Sequence, residues 1–393
     1  MKIAINGAGV AGPALAYWLL KDGHEPVLIE RAPQPRTGGY IIDFWGLGYT
    51  IAEKMELIPA VRSHGYQVEE VRLVDAKGRK AGGFSVRALQ RLTHDRFTSL
   101  PRSALAGLIY ETVNDRAETI FGDSIAQISE RTDGVDVRFE RAPPRAFDLV
   151  IGAGGLHSPV RALSFGPQSE FERDLGYRVA AFELTGYTRR DELVYVSFAR
   201  PGRQIARFSM RDDRTLILAV FRAELTGGAE PHDLAARKTL LAHVFDGVGW
   251  EWPEIRAALA DVGEVYYDRV SQIEMERWSK GRVALVGDAA ACVSLLAGEG
   301  TGLALLEAYV LAGEIKRAGS DHAEAFRRYE ERLKPFVLRK QRSARAFAAS
   351  FAPKTDLGIW IRNQVTRLMA IPPVAEFAIG RMLRDDFNLP EYN

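Results

Sequence analysis

The residues of this sequence that could do chemistry are glycines spaced around a few charges. Gly7-Ala8-Gly9-Val10-Ala11-Gly12 is followed downstream by Glu30 and Arg31, and late in the chain Gly287-Asp288 precedes Gly298, Gly300, Thr301 and Gly302. Glycines let backbone approach a ligand closely, and a helix start offers unpaired N–H groups and the positive end of its dipole. Such places hold anions. A carboxylate beside them, Glu30 or Asp288, can accept hydrogen bonds from sugar-like hydroxyls, although capping of the next turn explains Asp288 alone equally well. Arg102 falls in the first turn of an expected helix, where the dipole disfavours a cation. It therefore calls for a partner, either a ligand phosphate or a nearby acid. Asp43 is one carboxylate among apolar residues, and a turn role fits it at least as well as a site role. No nucleophile–base pair or metal-ligand cluster is apparent, and the seven histidines are scattered, so structural or surface roles are expected for them.

Local elements must place these groups. Residues 2–6 form a short strand that runs into the first glycine stretch, 13–21 read as a helix ended by Gly23, and 26–30 form a second strand. This is a full dinucleotide-binding unit. Gly7 makes the tight turn, Gly9 admits a pyrophosphate, Gly12 allows close helix–strand packing, and Glu30 can hold a ribose hydroxyl. An acid at Glu30 argues against a 2′-phosphate there. Residues 36–45 read as a loop and strand beside the ligand, 50–56 as a helix, 68–74 and 81–86 as strands, and 98–113 as a helix begun at Pro101. After a strand at 134–140, 148–152 leads to a second glycine-rich strand end, with Ser158-Pro159 as N-cap and first helical residue. Residues 283–286 read as a strand buried on both faces and 303–314 as an apolar helix.

Between 176 and 223 the pattern changes to alternation, at 194–198, 205–210 and 216–221, with Pro-Gly and Asp-Asp turns. The expectation is an antiparallel sheet with one covered face, inserted as a second domain. Its inward residues are apolar with Arg207 among them. This suggests a largely apolar, aromatic substrate and makes Arg207 a candidate contact for an acid or phenolate, a salt bridge being its commoner fate. Residues 237–245 and 253–260 read as helices, 322–351 as a long amphipathic helix and 357–382 as one or two more.

Composition bounds the remaining choices. The chain has 393 residues, a net charge of +1, 47% apolar and 26% charged residues, which excludes a global field toward nucleic acid or membrane. A single cysteine, Cys292, excludes an internal disulfide and favours a reducing compartment. No signal peptide is read, and no run approaches the ~18 apolar residues of a membrane span. A cytoplasmic monomer or homodimer acting on a small molecule is the expectation.

The three stations stand in order: GAGVAG, DLVIGAGGLHSPVR and GRVALVGDAA. Together they resemble the FAD-dependent aromatic hydroxylases, single-component flavoprotein monooxygenases of the p-hydroxybenzoate hydroxylase fold, over residues 1 to about 340. The resemblance implies an α/β chain. A Rossmann-like FAD-binding domain would occupy 1–68, 97–168 and 277–340, an inserted antiparallel-sheet substrate domain 69–96 and 169–276, and C-terminal helices 341–393. It implies FAD in the first unit with Glu30 on the adenosine ribose, Asp288 on ribityl or ribose hydroxyls, Arg102 along the cofactor, and 298–302 facing the flavin ring. NADPH or NADH would reduce the flavin, and O₂ would add at C4a to give the hydroperoxide that delivers one oxygen atom. The helix start at 300–303 would stabilise the reduced ring, and Glu299 is expected to point away from it.

Four positions depart from the family: Gly154 replaces its usual Asp, Ala291 its His, Leu295 its Pro, and Glu299 a polar or basic residue. The branch is divergent, so its substrate is not to be borrowed from the type members. Rival readings are an FAD reductase or dehydrogenase, a flavoprotein fold kept as a binding module, and a halogenase. The last is invited by Trp250-Glu251-Trp252-Pro253, a partial match to W-x-W-x-I-P for which packing is the commoner reason. The dinucleotide unit generates a first test. Purified protein should be yellow and, on denaturation, release FAD rather than FMN into the chromatogram. Recovery of FMN, or of no flavin after reconstitution with FAD, contradicts the reading.

Overall fold

The computed structural model describes residues 1–35, 39–348, 350–369 and 386–392, with 371, 373, 374 and 376 besides. Residues 36–38 of the expected ligand-side loop, and most of 370–385 in the last expected helix, lie outside the described residues.

Apolar strands too short to stand alone assemble into two main sheets. The six-stranded sheet has Lys2–Asn6 near its centre, flanked by Glu25–Glu30 and then Glu118–Phe121 on one side. On the other side lie Leu149–Gly152, Val283–Leu285 and the edge strand Ser279–Lys280. All neighbours are parallel except the last pair. Ile3, Ile5, Leu28, Ile29, Val150, Ile151 and Leu285 are fully buried, as strands covered on both faces require. The chain leaves the central strand in one direction and returns on its other side. This creates the switch point at which α/β sheets bind ligands. Helices Ala11–Lys21 and Gly300–Ala318 pack over it.

The seven-stranded sheet draws its strands from 70–85 and 172–273, in the order Tyr266–Ile273, Glu172–Thr185, Arg214–Arg222, Arg203–Ser209, Val194–Arg200, Glu70–Val74, Lys80–Ser85. It departs from the sequence expectation in two ways. One neighbouring pair, Val194–Arg200 with Glu70–Val74, is parallel, because the 70–85 hairpin joins the edge from a distant part of the chain. Both faces are covered rather than one. Helices Leu234–Val244 and Trp252–Leu259 pack on the outer face around Ile205, Ile217, Phe221 and Phe245. On the inner face Tyr66, Phe97, Phe208 and Met210 form an aromatic cluster. That inner cluster joins the sheet to the two-stranded ribbon of Ile41–Phe44 and Thr98–Pro101. The long amphipathic helix ends at Ala348, and Asp356–Leu368 follows it. Among the described residues no helix is long and apolar enough to cross a membrane.

Helices Gly46–Lys54 and Gly300–Ala318 meet at a backbone contact. A Cβ on Gly48, in helix Gly46–Lys54, would lie 2.4 Å from the Cα of Gly302. Neither backbone can yield cheaply. Gly48→Ala should therefore lose about 1–3 kcal/mol in urea unfolding, as overpacked cores do. Gly107→Ala, where a Cβ meets nothing within 4 Å, should lose none.

Candidate active site

The first glycine loop is held by the sheet. Gly7 N–H donates to Ile29 O at 2.7 Å, and a Cβ on Gly12 would lie 1.9 Å from Gly7 O. Protein packing thus demands Gly12. It does not demand Gly9, whose Cβ would meet nothing within 4 Å. The space that Gly9 keeps open lies beside the start of helix Ala11–Lys21. That start follows Val10, with no side-chain cap and no acid in the first turn, so its first N–H groups are available to an anion. Glu30 is buried, and its carboxylate accepts from the N–H groups of Ala8 and Ala32, both at 2.9 Å. These bonds fix it at the mouth of the loop, with Arg31 exposed beside it.

A second group gathers deeper in the switch point. Gly287, with φ +67°, turns the chain into Asp288. A Cβ on Gly300 would lie 3.5 Å from Asp288 Oδ1, so the carboxyl is aimed at the start of helix Gly300–Ala318. Neither helix start carries a side-chain capping bond, and the long helix has no acid in its first turn. Arg102 heads helix Arg102–Glu111, and its backbone N–H donates to Tyr40 O at 3.0 Å. Its guanidinium makes no ion pair or hydrogen bond among the described residues. Burial raises the Asp288 carboxyl above the usual aspartate range, against the pull of Arg102. Burial also works against the charge of Arg102, but Tyr40 and Asp288 more than offset it. Tyr40 itself is pushed up to about 12 by burial. A cation and a carboxyl therefore act on each other without pairing, the carboxyl's side-chain hydrogen-bond partner being the Cys292 thiol.

Beyond them lies a small open cleft, lined by Asp43, Trp45, Gly298, Glu299, Gly302 and Lys340. Gly298 has φ +69° and Thr301 is buried. Glu299 turns to Lys340, 3.0 Å away. Asp43 accepts from Ser99 Oγ at 2.5 Å, and burial raises its carboxyl despite that bond. Tyr195 feels Asp43 across the same space and is pushed far up, chiefly by burial. Aromatic rings flank this polar group: Tyr195 against Phe208 at 4.5 Å, Phe208 against Tyr66 at 5.3 Å, and Trp45 near Phe97 at 6.3 Å.

Arg207 is placed elsewhere. It shares the outer face with Ile205 and is 5% exposed, with Nε 2.8 Å from Glu251 and Nη2 2.6 Å from Asp191. Tyr187 OH completes the group by donating to Glu251 at 2.9 Å. Arg207 is thus tied into a buried ion-pair network behind the sheet, away from the cleft. The tryptophan pair lies on the same outer side: Trp252 packs on Phe245 and Trp250 near Phe198. Sequence reasoning left Asp43 undecided and passed over Tyr40 and Tyr195, for which only aromatic character gave a signal.

An FAD binding domain model matches residues 1–342. The chain belongs to the FAD-dependent aromatic hydroxylase family. A flavin-dependent monooxygenase of an unknown prokaryotic organism is 34% identical over 348 residues, covering 86% of this chain and 87% of that protein. One from Legionella longbeachae is 30% identical over 408 residues, covering 100% of this chain and 98% of its own. The crystal structure of tetracycline destructase Tet(51) superposes with a TM-score of 0.82 at 31% identity, covering 100% of this chain and 99% of that one. This monooxygenase uses FAD, and the residues present fit it. The open space at Gly9, two uncapped helix starts, and the unclosed Arg102–Asp288 pair are what a long anionic, hydroxyl-bearing cofactor would occupy. Asp288→Ala should weaken FAD binding by roughly one to two powers of ten, because buried hydroxyl donors left unpaired cost about 1–3 kcal/mol each. Unchanged affinity in a fluorescence titration, with a lowered melting temperature, would make Asp288 a purely structural residue.

Proposed function

We propose that this monooxygenase acts in the cytoplasm, using NADPH or NADH and O₂ to oxygenate an apolar, aromatic or polycyclic small molecule. When bound, FAD would supply the acceptance of reducing equivalents and the activation of O₂. The chain supplies binding, orientation and exclusion of water. The N–H groups at Gly9, Val10, Ala11 and Gly12 would take the pyrophosphate, with Gly7 shaping the turn, Glu30 on the adenosine ribose and Arg31 at its rim. Arg102 would neutralise charge along the cofactor, and Asp288 would accept its hydroxyls. Gly298, Gly300, Thr301 and Gly302 would lie against the ring, where the uncapped helix start offsets negative charge in the reduced state. The ion pair of Glu299 with Lys340 keeps an opposing carboxylate occupied elsewhere.

The observation that carries the substrate reading is the cleft in which Trp45 and Phe44 lie beside the Asp43 carboxyl, backed by the packed rings of Tyr66, Phe97 and Phe208. Trp45, which lines the cleft, would take the face of a flat apolar molecule, and the packed rings of Phe97, Phe208 and Tyr66 behind it would help keep water from the reacting centre. Asp43, held by Ser99 and facing Tyr195, would fix its orientation through a hydrogen bond. The likeness to a tetracycline destructase makes tetracycline the first compound to try. Gly154, crowded by Pro159 and Ser158, leaves no side chain at the middle glycine station for the nicotinamide to use. Mass spectrometry of products formed under ¹⁸O₂ with each nicotinamide should find one labelled oxygen per product. Turnover without label, or equal turnover without oxygen, would transfer the enzyme to the reductase or dehydrogenase class.

A further inference from the structure

Glu307 lies in the middle of helix Gly300–Ala318, among Leu303, Leu305, Leu306, Ala308 and Val310, and is 1% exposed. Its Oε2 accepts the Gly287 N–H at 2.6 Å. Tyr329 OH, from helix His322–Ala348, lies 3.3 Å from the same oxygen and 3.1 Å from Leu285 O. The carboxyl therefore ties three things together: the end of strand Val283–Leu285, the long helix behind it, and the turn whose next residue is Asp288. Gly287 has no slack on its other side, since a Cβ there would meet the Ala11 methyl at 3.1 Å. An acid buried among leucines without a cation costs more than a hydrocarbon would, so the position has to be explained by what the acid holds.

We propose that Glu307 is a positioning residue for the cofactor: its carboxyl fixes the Gly287 amide and so aims Asp288 into the cleft. The proposal rests on the reading of Asp288 as a contact to FAD.

The positioning is linked to a proton. Burial first, and then the nearby Asp288 carboxylate, raise the Glu307 carboxyl to about 8, while the Gly287 N–H and Tyr329 OH pull it down. The groups facing it are Asp288 from the turn and Tyr329 from the neighbouring helix. Glu330, beside Tyr329, is engaged by Trp278 N–H and Ser279 Oγ, and the first helix contributes only the Ala11 methyl at Gly287. Among the described residues no cation offsets a charge on Glu307. Its folded-state pKa lies above that of an ordinary glutamate. The carboxyl therefore costs folding nothing below the ordinary range, and the cost grows as pH rises from there through about 8. Ionised, it would set a negative charge behind Asp288, facing an anionic cofactor. FAD affinity should be full below about pH 8. Above that it should fall by up to about tenfold per pH unit, the limit for one linked proton.

The test is titration of apoprotein with FAD, followed by flavin fluorescence, from about pH 6.5 to 9.5 across this one-proton window. Wild type should weaken above about pH 8. Glu307→Gln keeps a neutral acceptor for Gly287, so it should bind within about threefold of wild type at neutral pH and show no alkaline loss. Glu307→Ala should lose about tenfold or more at every pH, as expected when a buried amide is left unpaired. Melting of each apoprotein reports folding independently, and if the alanine variant does not fold, the glutamine comparison decides. A glutamine variant that keeps the alkaline loss, or one as weak as the alanine variant at neutral pH, overturns the proposal. So does an alanine variant with wild-type affinity. Failure of the underlying reading is seen separately, as unchanged FAD affinity in Asp288→Ala.

Discussion

The site depends on the hydrogen bonds that close the carboxyl edge of the parallel sheet. Gly7 N–H reaches Ile29 O at 2.7 Å, Ala153 N–H reaches Asn6 O at 2.8 Å, and Val286 N–H reaches Gly152 O at 3.0 Å. Each bond joins the end of one strand to the glycine-rich stretch of another. Stretches separated by more than a hundred residues thereby become neighbours, and their helix starts converge on one crevice. Parallel strands with helical crossovers must end on the same side, so their anion-attracting termini add together there.

Two buried charge groups show how structural and functional ions differ in this fold. Behind the seven-stranded sheet, Arg207 is closed by Glu251 and Asp191, and Tyr187 satisfies Glu251 in turn. Removing one member would leave an uncompensated charge, and among the described residues only the Nη1 of Arg207 lacks a partner in this group. In the crevice, Arg102 and Asp288 influence each other without pairing, and Tyr40 and Glu307 are held neutral by burial around them. A protein tolerates such unclosed polarity where a ligand completes it.

Much of this was legible in order along the chain. The dinucleotide unit could be read because its glycines stand at short, regular spacing, with Gly12 lying against Gly7 O, and strand, loop and helix follow within a short span. Arg207 was harder. Alternation along 205–210 shows that Ile205 and Arg207 share a face, but which face meets the cleft depends on where the helices Leu234–Val244 and Trp252–Leu259 settle. The stretch 216–221 was expected to alternate, but Leu216–Phe221 is a continuous apolar run and is buried on both faces. The missing Asp at Gly154 has a packing explanation visible only in space, since a Cβ there would lie 3.0 Å from Pro159 Cδ.

By itself the sequence determined the family, the cofactor and the strand–loop–helix unit at residues 2–30, because those rest on short-range geometry written as glycine spacing and strand–helix punctuation. Tertiary structure alone decided which charges remain unclosed. Asp43 acquired meaning only when Ser99 came across the ribbon to it and Tyr195 faced it from another sheet. Glu307 carries no mark of a role in the sequence, and gains one only because the Gly287 turn hangs from it. Both cases follow from one physical fact. The state of a buried carboxyl is set by desolvation and by partners distant in sequence, and neither can be read from its neighbours along the chain.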